Sequence, residues 1–248
     1  MKGTVYLVGA GPGAADLLTV RAARLLGEAD VVFHDALIAE EVLRLAPRAR
    51  KIAVGKRSGR HSTAQHFINK RLADAARSHR VVVRLKGGDP MLFGRAHEEI
   101  AYLTSRGVRV EVVPGVTAAL AASADLAISL TRRGAARSVA LVTPRVGKGE
   151  RASRWVASVL AADTAAIYMG AGEAEAIAAA LIGAGKPAQT PLALVEDASL
   201  PGMRVQYATL ADLPRLATRG GPTLILLGEV YREALEALDA RVRISQRQ

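Results

Sequence analysis

The sequence predicts an α/β fold, two consecutive α/β domains of similar size, on three observations. Short β-rich apolar runs alternate with Ala-, Leu- and Arg-rich segments whose apolar residues recur at helical spacing. Three strands of the first half empty directly into glycine-containing loops, and in open α/β sheets that edge is where ligands bind. Half of the 248 residues are apolar, yet there are only three Phe, five Tyr and one Trp, which favours helices packed on sheets over an aromatic-rich sandwich.

Thr4 to Val8 reads as a strand ending in Gly9-Ala10-Gly11-Pro12-Gly13, and the segment to Glu28, with Leu17, Leu18, Leu25 and Leu26 at helical spacing, as a helix. Asp30 to Phe33 is a second strand, Glu40 to Leu45 a helical turn or two, Lys51 to Val54 a third strand and Thr63 to Ser78 a helix. Arg80 to Leu85 has the pattern of a buried strand and runs into Lys86-Gly87-Gly88-Asp89-Pro90, ahead of a helix over Phe93 to Arg106. Val108 to Val113 is a strand closed by Pro114-Gly115, and Thr117 is placed to cap the Ala-rich helix after it.

In the second half, strands are predicted at Val139 to Val142, Ala165 to Met169, Leu192 to Val195, Arg204 to Tyr207 and Thr223 to Leu227, with helices at Glu173 to Ile182 and Leu210 to Ala217. The polar stretch Pro144 to Ser153 reads as an exposed loop. The expected domains are residues 1–116 and 117–248.

Cysteine is absent, which removes disulfides, thiolate nucleophiles, zinc ribbons and iron–sulfur ligation. The formal net charge is +11, from 34 Lys and Arg against 23 Asp and Glu, a field that draws in a polyanion: nucleic acid, membrane surface or a small polycarboxylate. The cations are scattered singly or in pairs such as Lys56-Arg57 and Arg132-Arg133, with little aromatic interleaving, which argues against nucleic acid. The apolar segment Val5 to Ala10 is too short for a secretory leader, and no membrane-spanning run of about 18 residues occurs, so a soluble cytoplasmic protein is expected.

Gly9-Ala10-Gly11-Pro12-Gly13-Ala14 has the spacing of a dinucleotide fingerprint, and Asp35 lies near the position expected for a ribose-binding acid. Pro12 opposes that reading, since it has no N–H to offer a pyrophosphate. A plain strand-to-helix turn explains the same glycines.

The remaining blocks are more specific. Val5-Tyr6-Leu7-Val8-Gly9-Ala10-Gly11-Pro12-Gly13, Ala29-Asp30-Val31-Val32 and Val54-Gly55-Lys56-Arg57-Ser58-Gly59-Arg60-His61 occur in that order. Val83-Arg84-Leu85-Lys86-Gly87-Gly88-Asp89-Pro90, Phe93-Gly94-Arg95, Glu98-Glu99, Val112-Val113-Pro114-Gly115-Val116-Thr117, Tyr168-Met169-Gly170 and Gly228-Glu229-Val230 follow. Together they closely resemble the uroporphyrinogen-III C-methyltransferase family over nearly the whole chain.

That resemblance implies a tetrapyrrole methylase fold with an interdomain cleft, a homodimer and a folded S-adenosyl-L-methionine, with the first domain on the substrate side and the second on the cofactor side. The reaction it implies is C-methylation of uroporphyrinogen III at C2 and C7 to precorrin-2, for sirohaem or cobalamin, with S-adenosyl-L-homocysteine released. By position, cofactor contacts are expected from Pro12, Gly87, Gly88, Asp89, Leu92, Thr117, Ala118, Met169 and Ala198. Asp35 is the implied proton acceptor and Lys56 the implied proton donor. Arg95 is expected to grip a substrate carboxylate with Glu98, three residues on, orienting its guanidinium or meeting a pyrrole N–H.

The chain departs from many relatives at His34-Asp35-Ala36-Leu37, where they carry Tyr-Asp-Arg-Leu, at Ala96-His97, and at Thr131-Arg132-Arg133-Gly134. A substrate-facing arginine is missing at Ala36, and Arg132 is a candidate substitute. His97-Glu98-Glu99 lacks the second histidine a metal would need, so no metal is expected. The alternatives are a methyltransferase of a later precorrin, an NAD-linked oxidoreductase and a non-catalytic polyanion-binding module.

Overall fold

The computed structural model describes residues 3–54, 65–147 and 153–245. The chain divides into two compact units, Met1–Ala118 and Ala119–Gln248.

The first unit alternates strand and helix: β1 (Thr4–Gly9), α1 (Val20–Glu28), β2 (Val31–His34), α2 (Glu40–Arg44), β3 (Arg50–Ala53), α3 (Gln65–Ser78), β4 (Val81–Lys86), α4 (Ala96–Thr104) and β5 (Arg109–Val113). Its five strands are all parallel, in the order β3-β2-β4-β1-β5. Parallel strands need crossover helices, and these bury both faces of the sheet. Val8, Val83 and Leu85 pack with α1 and α2, whereas Val5, Leu7, Val31 and Val82 pack with α3 and α4. The connection from β1 runs past β4 to β2, and that from β4 runs past β1 to β5, so the chain reverses direction between β1 and β4. A crevice outside the carboxyl ends of such a strand pair is the expected ligand position.

Side-chain caps fix the local geometry. Thr19 accepts a hydrogen bond from Ala22 N at 3.2 Å and so starts α1. Asp30 accepts from the amides of Arg80 and Val81, both at 2.8 Å, and pins the start of β4 beside β2.

A further helix, α5 (Ala118–Asp125), joins the units in sequence. The second unit then holds β6 (Val139–Val142), α6 (Trp155–Ala161), β7 (Thr164–Tyr168), α7 (Ala174–Gly183), β8 (Pro191–Glu196), β9 (Arg204–Thr209), β10 (Thr223–Gly228) and α8 (Arg232–Ser245). Its sheet order is β6-β7-β10-β8-β9, parallel only between β6 and β7. Asp163 repeats the stapling device of Asp30, accepting from the amides of Arg137 and Ser138 at 2.8 and 2.9 Å. The Arg137 amide, together with Ser138, holds the Asp163 carboxyl below its ordinary pKa.

Several elements differ from the sequence expectation. The helix expected from Phe93 begins at Ala96, because Phe93 (φ 53°) and Arg95 (φ 55°) adopt left-handed backbone conformations that cannot extend it. Leu210–Arg215 is a 3-10 helix with Pro214 inside it, shorter than the expected Leu210 to Ala217. Helices α6 and α8 were not expected at all. The expected start of α3 at Thr63, and residues 148–152 of the expected loop, lie outside the described residues. Among the described residues no helix is long and apolar enough to cross a membrane.

Candidate active site

Most of the first-unit residues expected to act sit on loops at the carboxyl edge of the parallel sheet, while Glu98 lies in α4 and Ala118 opens α5. Pro12 follows β1, Asp35 follows β2, Gly87, Gly88, Asp89 and Leu92 follow β4, and Thr117 and Ala118 follow β5. Lys56 lies outside the described residues.

Two of these loops are tied to each other. Gly11 and Gly88 exchange backbone hydrogen bonds, with Gly11 N donating to Gly88 O at 3.2 Å and Gly88 N donating to Gly11 O at 2.7 Å. Both glycines have positive φ (71° and 65°), which suits residues without a Cβ. Ala10 N donates to Lys86 O at 2.8 Å, so the amides of Ala10 and Gly11 are taken and Pro12 has none. The first part of the loop therefore has no amide for a pyrophosphate, which weighs against the dinucleotide reading. A Cβ on Gly9 would lie 2.6 Å from Gly115 Cα and 2.7 Å from Gly88 O, so the β1, β4 and β5 loops meet backbone to backbone.

Asp89 ties the third loop in. Its Oδ1 accepts from Met91 N at 2.8 Å and its Oδ2 from Gly115 N at 2.9 Å, so this carboxylate shapes the turn and binds it to the β5 loop. Gly87 is exposed, and a Cβ there would meet nothing within 4 Å.

Arg95 and Glu98 are brought together at the start of α4. Nε donates to Oε1 at 2.6 Å and Nη2 to Oε2 at 2.7 Å, with side chains 59% and 35% exposed. The Arg95 hydrogen bond, ahead of the charge itself, lowers the Glu98 pKa. Gly94 permits the turn, because a Cβ would lie 2.6 Å from Pro90 O and 3.1 Å from Lys86 Cε.

Beneath these loops lies a charged cluster that the sequence reading did not single out. Arg84 is hydrogen-bonded to Asp35 (Nη2 to Oδ1, 2.7 Å) and Glu99 (Nε to Oε1, 3.2 Å), and Lys86 Nζ donates to Glu99 Oε2 at 2.9 Å. Burial, then the neighbouring Arg84 charge, pulls the Lys86 pKa down, while Glu99 opposes the shift. The signal in the sequence was two cations at alternate positions of a strand otherwise made of Val and Leu.

In the second unit Met169 follows β7, and Ala198 lies two residues beyond β8. β7 and β8 flank β10 and run antiparallel to it, so both residues come to one edge of that sheet, at the β10 start. Tyr168 OH accepts from Ala119 N at 3.2 Å, and Asp125 Oδ2 accepts from Ser199 N at 2.8 Å, fastening α5 to both loops. Met169 (φ 57°), Asp197 (φ 55°) and Ser199 (φ 67°) all carry positive φ, a strain that tends to persist at functional loops. Arg132, the candidate substitute for an arginine at position 36, is ion-paired with Glu233 at 2.8 Å.

The family described as tetrapyrrole (corrin/porphyrin) methylases matches residues 4–214. The chain belongs to this family. Siroheme synthase of Pseudomonas fluorescens is 46% identical over 234 residues, 93% of this chain but 50% of that protein. The corresponding protein of Nitrosococcus oceani is 45% identical over 233 residues, again 50% of its length. The chain thus spans about half the length of the curated relatives it matches. Uroporphyrin-III C-methyl transferase from Thermus thermophilus, complexed with S-adenyl homocysteine, superimposes with a TM-score of 0.82 at 43% identity, covering 93% of this chain and 94% of that one. Cobalt precorrin-4 methyltransferase does so with 0.79 at 28% identity, covering 92% and 95%. The α/β architecture expected of this tetrapyrrole methylase from its sequence is the one these structures share.

Proposed function

We propose that this chain methylates uroporphyrinogen III at C2 and C7, giving precorrin-2 and S-adenosyl-L-homocysteine. The observation that carries the reading is the 43% identity, over nearly the full length of both chains, to a uroporphyrin-III C-methyl transferase solved with S-adenyl homocysteine.

The residues fit an S-adenosyl-L-methionine cofactor. Gly87 leaves its peptide face open to close approach, the exchange between Gly11 and Gly88 makes a rigid floor, and Met169, 43% exposed, offers a polarisable apolar surface. Pro12, Gly87, Gly88, Leu92, Thr117 and Ala118 of the first unit, and Met169 and Ala198 of the second, are assigned as its contacts. Asp89 acts chiefly by holding the loop in shape. When bound, the cofactor supplies an electrophilic methyl group to an electron-rich carbon of the macrocycle.

The chain's own part is positioning and proton transfer. Arg95 grips a carboxylate of the substrate, while Glu98 covers the Nε and Nη2 edge of the guanidinium and sets its plane. Once the new carbon–carbon bond forms, a proton must leave the macrocycle, and Asp35 accepts it. Lys56 is assigned as proton donor. The net charge of +11 concentrates a polycarboxylate substrate around the chain. A homodimer, a cytoplasmic location and a product destined for sirohaem complete the reading.

A second reading, methylation of a later precorrin, is favoured by Ala36 and by the likeness to cobalt precorrin-4 methyltransferase. Calorimetry with S-adenosyl-L-homocysteine and with NADH tests the cofactor: micromolar binding of the first and none of the second is expected, and the reverse contradicts the reading. Parallel turnover of uroporphyrinogen III and later precorrins then decides the substrate.

A further inference from the structure

β4 is buried along its whole length, and its alternation sends Val82, Arg84 and Lys86 to the side covered by α3 and α4. Arg84 is 4% exposed and Glu99 is 0% exposed at the side chain. Glu99 occupies the buried stripe of α4 together with Ala96 and Leu103, a position where an apolar residue would pack without desolvating a charge. Both of its oxygens are engaged, Oε1 by Arg84 Nε and by Gln65 Nε2 at 3.0 Å, and Oε2 by Lys86 Nζ. Arg84 Nη1 donates to Leu85 O at 3.1 Å. The guanidinium is thereby fixed from behind, and Nη2 reaches forward to Asp35 Oδ1 at 2.7 Å.

Asp35 is the member of the cluster that meets solvent, at 34% side-chain exposure. Its Oδ2 has no donor among the described residues. An ion pair built this way adds less to stability than to direction, since an apolar set of similar size would serve a core as well.

We propose that Arg84, anchored by Glu99, is a positioning residue that holds Asp35 by Oδ1 and turns Oδ2 toward the proton leaving the macrocycle. The proposal rests on the reading of Asp35 as proton acceptor of a C-methyltransferase. The proton passes to Oδ2, and the electron pair it leaves stays in the macrocycle. Arg84 itself touches neither substrate nor cofactor.

The test is a double-mutant cycle on single-turnover methyl transfer, using labelled S-adenosyl-L-methionine and uroporphyrinogen III with the full chain. Arg84→Lys keeps the charge and loses the fork, so the rate should fall about 10- to 100-fold, with KM and S-adenosyl-L-homocysteine affinity within about twofold. In an Asp35→Asn background the same change should cost less than about twofold, because its effect runs through the carboxylate. Glu99→Gln, which loosens the guanidinium without touching Asp35, should show the same dependence and carries the test if Arg84→Lys does not fold. Equal losses in both backgrounds overturn the positioning role alone, whereas full activity of Asp35→Asn overturns both that role and the assignment of Asp35 as proton acceptor. A wild-type chain that transfers no methyl group overturns the proposed function as well.

Discussion

Arg95 Nε and Nη2 lie 2.6 and 2.7 Å from the two carboxylate oxygens of Glu98, a two-point contact made by residues three apart at the start of α4. In the proposed function Arg95 takes a substrate carboxylate and Glu98 sets the plane of its guanidinium. An exposed pair of this kind contributes little to folding, so its value lies in what the guanidinium does next. Arg95→Leu should lower kcat/KM for uroporphyrinogen III by about 100-fold, the range of a lost charge-assisted hydrogen bond, while calorimetry gives an unchanged S-adenosyl-L-homocysteine affinity. A large loss of cofactor binding would assign Arg95 to the wrong ligand.

Asp89 predicts the opposite division. Its two oxygens hold Met91 N and Gly115 N, so Asp89→Ala releases the β4 loop from the β5 loop. Cofactor affinity should fall about tenfold or more, the equivalent of one or two hydrogen bonds to a charged group. Asp89→Asn, which keeps an acceptor oxygen, should lose less. If both variants bind S-adenosyl-L-homocysteine like the wild type, the loop does not hold the cofactor.

The backbone geometry of these candidate-site loops was legible in the sequence because their residues announce their backbone roles. Gly9 ends β1, and Gly11, Gly88 and Gly115 follow strands, all at positions where a Cβ would clash or φ is positive, and glycine at a strand's end can be read without coordinates. The spacing from Arg95 to Glu98 likewise foretold their pairing. What escaped was tertiary. The alternate cations of β4 put Arg84 and Lys86 on one face, but nothing local says that Glu99 on the α4 stripe meets them at one buried point, since charged residues are ordinarily read as exposed. The left-handed residues Phe93 and Arg95 shortened α4 for a similar reason, because helical propensity does not register a turn imposed by packing over Lys86. Helix α8, by contrast, carries an amphipathic pattern that is readable in the sequence.

Tyr231 is fully buried, and its hydroxyl has no hydrogen-bond partner among the described residues. Desolvation, with Tyr207 adding to it, pushes its pKa far above the ordinary value. Tyr231→Phe removes an unsatisfied polar group without changing the ring and should raise stability by about 1 kcal/mol in urea denaturation. The gain should grow above pH 10.0, where the unfolded chain ionises this tyrosine and the folded one does not. A destabilised variant would mean that the hydroxyl is satisfied in solution.

Lys86 gives a second dependence of stability on pH, of opposite sign. Its pKa is depressed in the folded protein, so between that lowered value and the ordinary 10.5 the unfolded chain binds more protons and stability rises with pH. Lys86→Met removes the titration. The stability of the wild type relative to the variant, from urea midpoints across alkaline pH, should therefore climb toward pH 10.5 and level off above it. A difference that stays flat would mean that Lys86 titrates alike in both states.

Methyl transfer to a tetrapyrrole is decided by supplying the purified chain with S-adenosyl-L-methionine labelled in the methyl group and enzymatically prepared uroporphyrinogen III. Two labelled methyl groups are expected in each product macrocycle, with one S-adenosyl-L-homocysteine formed for each. Unlabelled uroporphyrinogen recovered intact, under conditions where the chain binds S-adenosyl-L-homocysteine, would contradict that transfer.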